Sequence, residues 1–280
     1  MLAYRHAFHA GNHADVLKHI VFIRVLRHLN QKDKPYRLID THAGAGGYSL
    51  EGQHAQKKGE YLQGIARLWG RDDLPEMVAD YVTLVRQFND SGRLTQYPGS
   101  PALAHMLLRH GNQLRLFERH PTDHRILASY LESEKGVEVY DTDGFEGLKG
   151  QVPPSTRRAG ILMDPSYEGH GDYGRVISSL REAVLRFAEG VYMVWYPQVQ
   201  KLESAQLAHR LEGVAPKSWL HVRLTVQEPD SQGFGLAGSG MFIFNPPYTL
   251  HDELVALMPW LVDALGQYDG ANYLIEQKAV

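Results

Sequence analysis

The sequence predicts an α/β protein with a mostly parallel, doubly wound sheet of seven strands. From residue 113 onward, short apolar runs alternate with longer segments whose apolar residues repeat at helical spacing. Such alternation is typical of parallel strands joined by right-handed helical crossovers. In addition, the glycine-rich bend Gly44-Ala45-Gly46 directly follows the first short apolar run, which is how a nucleotide-binding βα unit begins.

In the first 110 residues the sequence predicts four helices and one strand. The predicted elements are a helix over 15–29, a strand over 36–39 and amphipathic helices over 61–69 and 76–88. Lys34-Pro35 ends the first helix, because proline cannot continue it. Ser100 is suited to cap another helix that continues to Arg109, with Pro101 at the first helical position.

The remaining elements alternate regularly. Strands are predicted over 113–118, 137–140, 160–164, 191–195, 219–227 and 241–245, and helices over 123–131, 145–148, 173–187 and 202–211. The segment 228–240 between the last two strands is rich in Pro, Gly and Ser and has no helical spacing. We therefore expect those two strands to form an antiparallel hairpin at the edge of the sheet.

Composition excludes several classes of site. The chain has 280 residues and no cysteine, which excludes disulfides, thiolate metal sites and a cysteine nucleophile. No apolar stretch approaches the roughly 18 residues of a membrane span, so we expect a cytoplasmic protein without a membrane partner. The net charge is −3, yet residues 1–70 hold ten Lys/Arg and five Asp/Glu and so carry +5. Charge alone favours a solvated surface for this region.

Four consecutive strand ends present an acid or a glycine-rich bend. In a doubly wound sheet, ligands bind outside the carboxyl ends of the strands. The groups found there are Asp40 with Gly44 and Gly46, then Glu118, then Asp143-Gly144, then Asp164. The last two steps span 25 and 21 residues, which fits one βα unit each, whereas Asp40 and Glu118 are 78 residues apart. We therefore predict an inserted helical subdomain at 48–98 within a single domain of residues 1–280.

These groups fit a nucleoside cofactor without phosphates. Glycines allow close approach of the backbone, Glu118 is placed to accept both ribose hydroxyls, and Asp143 can accept an adenine amino group. The bend lacks the Gly-Lys-Ser/Thr ending of a phosphate-binding loop and does not match G-x-G-x-x-G. S-adenosylmethionine, which leaves S-adenosylhomocysteine as its product, is the common cofactor of this kind.

The tetrapeptide Asp164-Pro165-Ser166-Tyr167 fits the methylation of an exocyclic amino group. Such a nitrogen is a poor nucleophile because its lone pair is delocalised into the ring, and a carboxylate that accepts its N–H pulls density back onto nitrogen. Pro165 fixes the neighbouring carbonyl, and Tyr167 can stack on a flipped base. A second match, Asn245-Pro246-Pro247-Tyr248, follows the seventh strand and is predicted to be structural.

The N-terminal histidines are predicted to form no metal site. His6, His9 and His13 would share one face of a helix, but Gly11-Asn12 interrupts any helix there and no thiolate is present. Hydrogen bonding to a cofactor or to RNA phosphate is the favoured interpretation. A histidine-rich metal-binding protein stays open as an alternative, which metal analysis of the purified chain would test.

Three segments resemble the bacterial RlmJ family along essentially the whole chain. They are the run from Tyr4 to His19, Asp40-Thr41-His42-Ala43-Gly44-Ala45-Gly46, and Tyr97-Pro98-Gly99-Ser100-Pro101. The resemblance implies a Rossmann-like methyltransferase fold with a helical insertion after the first strand. It also implies methyl transfer from S-adenosylmethionine to N6 of an adenine in 23S ribosomal RNA.

The same resemblance implies the roles of single residues. It implies that Asp164 accepts the amino proton and that Tyr4 closes over the target, and it adds His19, His42, Ser100, Glu118, Asp143 and Gly144 as cofactor contacts. Ser166 stands where the family usually has a second proline. Because that proline supplies rigidity rather than a reacting group, we expect activity to be retained.

RNA is predicted to bind to the basic N-terminal quarter. The candidate contacts are Tyr4, Arg5, Lys18, Lys57 and Lys58, and the protein is expected to be a monomer. Two alternatives stay open: an amino-methyltransferase that acts on DNA adenine or protein glutamine, and a non-catalytic RNA-binding module. The acids at 118, 143 and 164 argue against the second, and the lack of a large target-recognition domain argues against a sequence-specific DNA enzyme.

Overall fold

The computed structural model describes residues 6–169, 171–229 and 235–279, and these contain ten strands and ten α-helices. The strands are β1 (Arg37–Asp40), β2 (Gly47–Ser49), β3 (Gln96–Pro98), β4 (Gln113–Phe117), β5 (Val137–Tyr140), β6 (Ala159–Met163), β7 (Val191–Gln198), β8 (Trp219–Thr225), β9 (Gly238–Phe244) and β10 (Asn272–Lys278). The helices are α1 (His13–Gln31), α2 (Gln53–Lys58), α3 (Ile65–Trp69), α4 (Glu76–Gln87), α5 (Ser100–Leu107), α6 (Pro121–Tyr130), α7 (Gly144–Gln151), α8 (Asp172–Arg186), α9 (Leu202–Glu212) and α10 (Leu250–Leu265).

The main sheet confirms the predicted fold class. Its strand order is β10-β8-β9-β7-β6-β1-β4-β5, and the five strands from β7 to β5 are parallel. After β1 the chain builds β4 and β5 on one side and then returns to place β6 on the other side of β1. The order therefore reverses beside β1, and in such sheets this reversal opens a ligand crevice at the carboxyl ends of the strands.

The antiparallel end of the sheet corrects one detail of the prediction. The hairpin of β8 and β9 is present, but β10 pairs with β8 as an eighth strand and forms the edge instead. Sequence reasoning missed β10 because its apolar run is only the three residues Tyr273-Leu274-Ile275, and no residue of this strand is fully buried. It also missed α10, whose apolar face packs against the sheet.

The inserted segment begins and ends at a short antiparallel ribbon of β2 and β3. Helix α4 agrees with the predicted helix over 76–88. The predicted helix over 61–69 is instead divided at Gly64 into a 3₁₀ turn (Glu60–Gln63) and α3. A Cβ at Gly64 would lie 2.1 Å from the Gly11 carbonyl oxygen, so this glycine allows the insertion to approach the N-terminal segment. The subdomain boundary at 48–98 stays a prediction.

Helix α1 lies between the sheet and the insertion. Fourteen of its 19 residues are buried, which leaves little of it for solvent. Its apolar residues, such as Val21, share one core cluster with Leu162 of the sheet and Tyr81 of the insertion. The opposite face of the sheet packs against α7, α8 and α9. As a result, α1 carries N-terminal side chains to the carboxyl edge of β6.

Candidate active site

A cleft of about 1040 Å³, including the solvent at its mouth, lies at the carboxyl ends of β1, β4, β5 and β6. Its size is that of a pocket for a small molecule or cofactor. Most of the predicted site residues line it, namely Lys18, His19, His42, Gly44, Ser100, Glu118, Asp143, Gly144, Asp164 and Pro165. The predicted residues Gly46 and Tyr167 do not line it.

Glu118 is fixed by the backbone at the end of β4. The Gly44 N–H donates to its Oε2 at 2.8 Å and the His120 N–H donates to its Oε1 at 2.6 Å. Burial raises the pKa of Glu118, partly offset by these two hydrogen bonds. Gly44 has a φ of +68°, and a Cβ there would lie 2.1 Å from the Tyr48 hydroxyl, so the bend requires glycine. The result is a carboxylate held rigidly in the wall of the cleft.

Asp143 has a structural role as well as a place in the cleft. Its Oδ1 accepts the Phe145 N–H and caps α7, while its Oδ2 accepts from Arg175 at 2.7 Å and from Arg119 at 2.9 Å. Burial raises the pKa of Asp143, but Arg175 and Arg119 outweigh it and hold that pKa below its usual value. The carboxylate is therefore ionised, with most of its acceptor capacity already used.

Aromatic and buried polar groups complete this end of the cleft. The rings of His42 and Phe145 meet edge to face at 4.6 Å, beside Phe117. Burial lowers the pKa of His42 to about 3, so its ring is neutral. At the end of β1, Asp40 is fully buried and accepts from the Ser100 hydroxyl at 2.6 Å, and burial raises its pKa to about 6. These groups form an apolar slot closed by polar atoms.

His19 brings an unpaired buried nitrogen to the cleft. Its Nδ1 is bonded to the Tyr97 hydroxyl at 2.7 Å, whereas its Nε2 is buried without a hydrogen-bond partner. Burial lowers the pKa of His19 to about 3, so the ring is neutral. A buried polar atom without a partner is costly, and a bound ligand that pairs with it removes that cost.

Asp164 lies beside a buried ammonium group. Lys18 Nζ is 2.5 Å from Asp164 Oδ2 and 2.7 Å from Asp15 Oδ1, and the His6 ring contacts the other oxygen of Asp15 at 2.9 Å. Burial raises the pKa of Asp164, and the Lys18 charge partly offsets that rise. Burial opposes the charge on Lys18, yet the two carboxylates raise the pKa of this amine. The ammonium therefore stays charged between two carboxylates.

This arrangement corrects the prediction for Lys18. The residue was expected to contact RNA from the surface, but only 4% of its side chain is exposed. Its two carboxylate partners also neutralise its charge. Lys18 therefore belongs to the support of Asp164 and not to an RNA-binding face.

Tyr167 is also not where base stacking would need it. The ring is buried against Tyr173 at 4.5 Å, and its hydroxyl donates to the Trp195 carbonyl oxygen at 2.6 Å. Its φ of +55° turns the backbone so that the side chain enters the core. Tyr167 therefore anchors the loop after β6 to β7. The aromatic rings that line the cleft near Asp164 are those of His6 and Tyr48, 5.1 Å apart.

The second tetrapeptide lies at the opposite edge of the sheet. Strand β9 runs antiparallel to β7 and pairs Phe244 with Tyr192, so Asn245 follows near the start of β7. The Asn245 amide donates to the Ala188 and Gly190 carbonyl oxygens, both at 2.8 Å. This geometry gives it a structural contact far from the cleft, as its position in the sequence predicted.

The remaining predicted RNA contacts divide into two groups. Tyr4 and Arg5 lie outside the described residues. Lys57 and Lys58 are exposed on α2, where Lys58 is 3.8 Å from Glu60.

The described ranges hold neither a candidate metal site nor a candidate membrane span. There, no three His, Cys, Asp or Glu side chains lie close enough together to hold a metal ion. In the same part of the chain, no helix is both long and apolar enough to cross a bilayer.

Several known proteins are similar to this chain. A family model described as "Ribosomal RNA large subunit methyltransferase D, RlmJ" matches residues 33–275. Two relatives named "Ribosomal RNA large subunit methyltransferase J" match nearly in full. The one from Escherichia coli is 46% identical, and the match covers 93% of each chain. The one from Haemophilus influenzae is 40% identical, and the match covers 99% of this chain and 98% of that one. The crystal structure of protein LPL1258 from Legionella pneumophila superposes with a TM-score of 0.88 at 35% identity, covering 96% of this chain and 98% of that one.

Proposed function

We propose that this chain, which belongs to the RlmJ family of ribosomal RNA large subunit methyltransferases, methylates the exocyclic N6 of an adenine in 23S ribosomal RNA. S-adenosylmethionine is the methyl donor. The observation that carries the adenine-N6 proposal is the buried Asp164 carboxylate, followed by Pro165, in the wall of the cofactor cleft. An exocyclic amino nitrogen loses a proton when it is methylated, and this carboxylate can accept that proton.

The residues of the cleft fit the cofactor. Glu118, with each oxygen already oriented by one backbone N–H, has lone pairs left for the two ribose hydroxyls. The slot of His42, Phe117 and Phe145 suits an adenine ring. The unpaired Nε2 of His19 offers a polar contact at the other end. When bound, the cofactor supplies an electrophilic methyl group on a sulfonium centre.

Asp164 would act on the amino group of the target base. Its Oδ2 is occupied by Lys18, so Oδ1 is the oxygen left to accept the N–H. This carboxylate would accept the proton that the amino nitrogen loses as it gains the methyl group. The pKa of Asp164, which burial raises, strengthens it as a proton acceptor. The Pro165 carbonyl can accept the second N–H and so orient the nitrogen.

Lys18 and Asp15 would act as positioning residues. The short contact of Lys18 with Oδ2 fixes the rotation of the Asp164 carboxyl group. Asp15 in turn accepts from the Gly11 N–H and contacts the His6 ring, so the network joins the start of α1 to the acceptor. Substrate positioning of this kind requires rigid support, because small displacements of a reacting group lower the rate strongly.

Radiolabelled S-adenosylmethionine and a 23S ribosomal RNA transcript test the proposal. After digestion to nucleosides, we expect label in N6-methyladenosine. Asp164→Ala should abolish transfer while calorimetry still detects cofactor binding. Asn245→Ala, the matched change in the rival tetrapeptide, should leave the rate unchanged. Label only in protein, DNA or another nucleoside would overturn the assignment, as would exchanged phenotypes of the two variants.

A further inference from the structure

The edge of the sheet opposite the cleft carries a group of cations. They stand on the three loops that precede β1, β4 and β6, and they are Lys32, Lys34, Arg109, Arg157 and Arg158. In the described part of the chain, none of them forms an ion pair with a carboxylate. Asp33 is the acid within the first of these loops, and the two lysines on either side of it are exposed. These five cations and Tyr248 are called the rear surface here.

Hydrogen bonds hold the three loops together. Arg109 donates to the Lys32 carbonyl oxygen at 2.7 Å, and Arg158 donates to the carbonyl oxygens of Lys34 and Leu29. Burial and the charge of Arg109 both lower the pKa of Arg158, so the cations are close enough to repel one another. Like charges held together by the backbone form a preorganised site for an anion.

Tyr248 adds an exposed aromatic ring to the same surface. The side chain is 83% exposed, although it follows two prolines and the anchored Asn245. Its ring lies edge-on to the His28 ring at 6.1 Å. The pKa of His28 is lowered by burial and by the charges of Lys32 and Arg158, which places the ring and the cations within electrostatic reach. An accessible aromatic beside cations is the chemistry that binds an unpaired base between phosphates.

The cleft itself offers little free positive charge. Lys18 is neutralised by two carboxylates, and Arg119 and Arg175 both pair with Asp143. The whole chain carries a net charge of −3, so general attraction cannot hold a polyanion. Affinity for RNA comes mainly from phosphate contacts, and these require cations that are not already paired.

We propose that the rear surface is a second contact for ribosomal RNA, in which one unpaired base stacks on Tyr248 and the flanking phosphates bind the exposed cations Lys32, Lys34 and Arg157. Arg109 and Arg158, whose guanidinium groups donate to backbone carbonyls, add positive charge beside them. The proposal rests on the proposed function, because it takes the RNA substrate as the ligand. A parallel strand of five residues is about 16 Å long at about 3.3 Å per residue. Helices cover both faces of the sheet, so an RNA that contacts both edges must pass outside them along a path much longer than the strands themselves.

Two RNA probes separate the rear surface from the active site. One is the complete 23S ribosomal RNA transcript, and the other is a short hairpin that carries the methylated adenine and cannot span both edges. Binding would be measured by filter retention at several salt concentrations with wild type, Lys32→Glu/Lys34→Glu and Tyr248→Ala. The matched controls are Lys201→Glu/Arg210→Glu, which reverses two exposed charges on α9, and Leu185→Ala, which removes a side chain that is also 83% exposed.

We expect the double reversal to weaken binding of the complete transcript at least tenfold at about 0.1 M salt, because each phosphate contact contributes a factor of about 5 there. The slope of log K against log salt should become shallower by about 1.4. Tyr248→Ala should weaken the same complex with no change of slope. Binding and methylation of the hairpin, and the melting temperature, should match wild type.

Three results would overturn the proposal. They are unchanged affinity for the complete transcript, equal losses on both RNAs, and equal losses in the control variants. Failure of the proposed function has a different signature, since wild type would then methylate neither RNA. Lys32→Gln/Lys34→Gln removes the same two phosphate contacts without adding negative charge, so the slope should again become shallower by about 1.4. An unchanged slope in this variant would show that the reversal acts through repulsion or a disturbed loop and would overturn the proposal.

Discussion

Replacing Lys18 by methionine tests whether the buried ammonium supports Asp164. The side chains of Lys18, Asp15 and Asp164 are 4%, 2% and 13% exposed, so the substitution leaves two carboxylates in a nearly dry site. Removing one partner from a buried ion pair costs about 3–5 kcal/mol. In chains somewhat shorter than this one, each kcal/mol lowers the melting temperature by about 2–4 °C. We therefore expect a decrease of about 6–20 °C, while Lys57→Met, at an exposed lysine, should change little.

The loss of stability in Lys18→Met should depend on pH, and the two carboxyl groups determine the direction of that dependence. Without Lys18 the pKa of both Asp15 and Asp164 rises, because the cation that favours their charged forms is gone. A carboxyl whose pKa is higher in the folded state than in the unfolded state ionises more readily after unfolding. Increasing pH therefore favours the unfolded state, and the variant becomes less stable. The difference in melting temperature from wild type should therefore be larger at pH 8 than at pH 5.

The same variant should also move the pH profile of methylation. If Asp164 accepts the amino proton, it must be ionised, and a higher pKa shifts the acid limb of the rate profile to higher pH. Two results would refute the reasoning: a decrease in melting temperature that is the same at both pH values, or an unshifted acid limb in a variant that still folds.

Three further changes test single contacts of the cleft. Glu118→Ala removes a charged acceptor worth about 1.5–3 kcal/mol per hydrogen bond, so calorimetry should show at least tenfold weaker cofactor binding, and an unchanged Kd would contradict the ribose assignment. Gly44→Ala places a Cβ at φ +68° and 2.1 Å from the Tyr48 hydroxyl, so thermal melts should show a loss of at least about 1 kcal/mol, and a neutral effect would show that the bend relaxes freely. Ser166→Pro places a second proline after Pro165, at a backbone N–H that donates to no group in the described residues. It should raise stability by about 0.4–1 kcal/mol and leave the methylation rate unchanged, and a faster enzyme would show that Ser166 limits the rate.

The acids of the cleft were predictable because their positions depend on local pattern alone. Glu118, Asp143 and Asp164 each follow a short apolar run, and parallel strands bring their carboxyl ends to one edge whatever the details of packing. The same argument separated Asp164 from Asn245, since only a strand that runs in the parallel direction ends at the cleft. Periodicity likewise predicted the helix over 76–88, whereas Gly64 divides the predicted helix over 61–69.

Other features depend on tertiary structure that no local pattern encodes. Lys18 and Asp164 are 146 residues apart, and their contact exists only because α1 is buried against the end of β6. The spacing of Asp15 and Lys18, three residues apart on a helix, is the signal in the sequence that indicates a paired lysine. Tyr167 was assigned to a base because its left-handed backbone, which turns the ring into the core, cannot be recognised from the residue type.

Part of the positive charge of the N-terminal quarter, residues 1–70, is neutralised by carboxylates of the same chain. Of the nine cations in the described part of that quarter, Lys18 pairs with Asp15 and Asp164, Arg24 with Glu253 and Arg27 with Asp80. Arg37 and Arg67 keep their charge but are held in place by neutral acceptors, Gln113 and Gln151 for the first and the carbonyl oxygens of Ala264 and Gly266 for the second. The other cations in the described residues are Lys57 and Lys58 on α2, the second of them 3.8 Å from Glu60, and Lys32 and Lys34 on the rear surface. One group stands on α2 and the other on the loop before β1, so a polyanion that uses both must extend around the sheet rather than bind only over the cleft. For an RNA that contacts both groups, the affinity for the protein depends on the length of the RNA as well as on the sequence around the adenine.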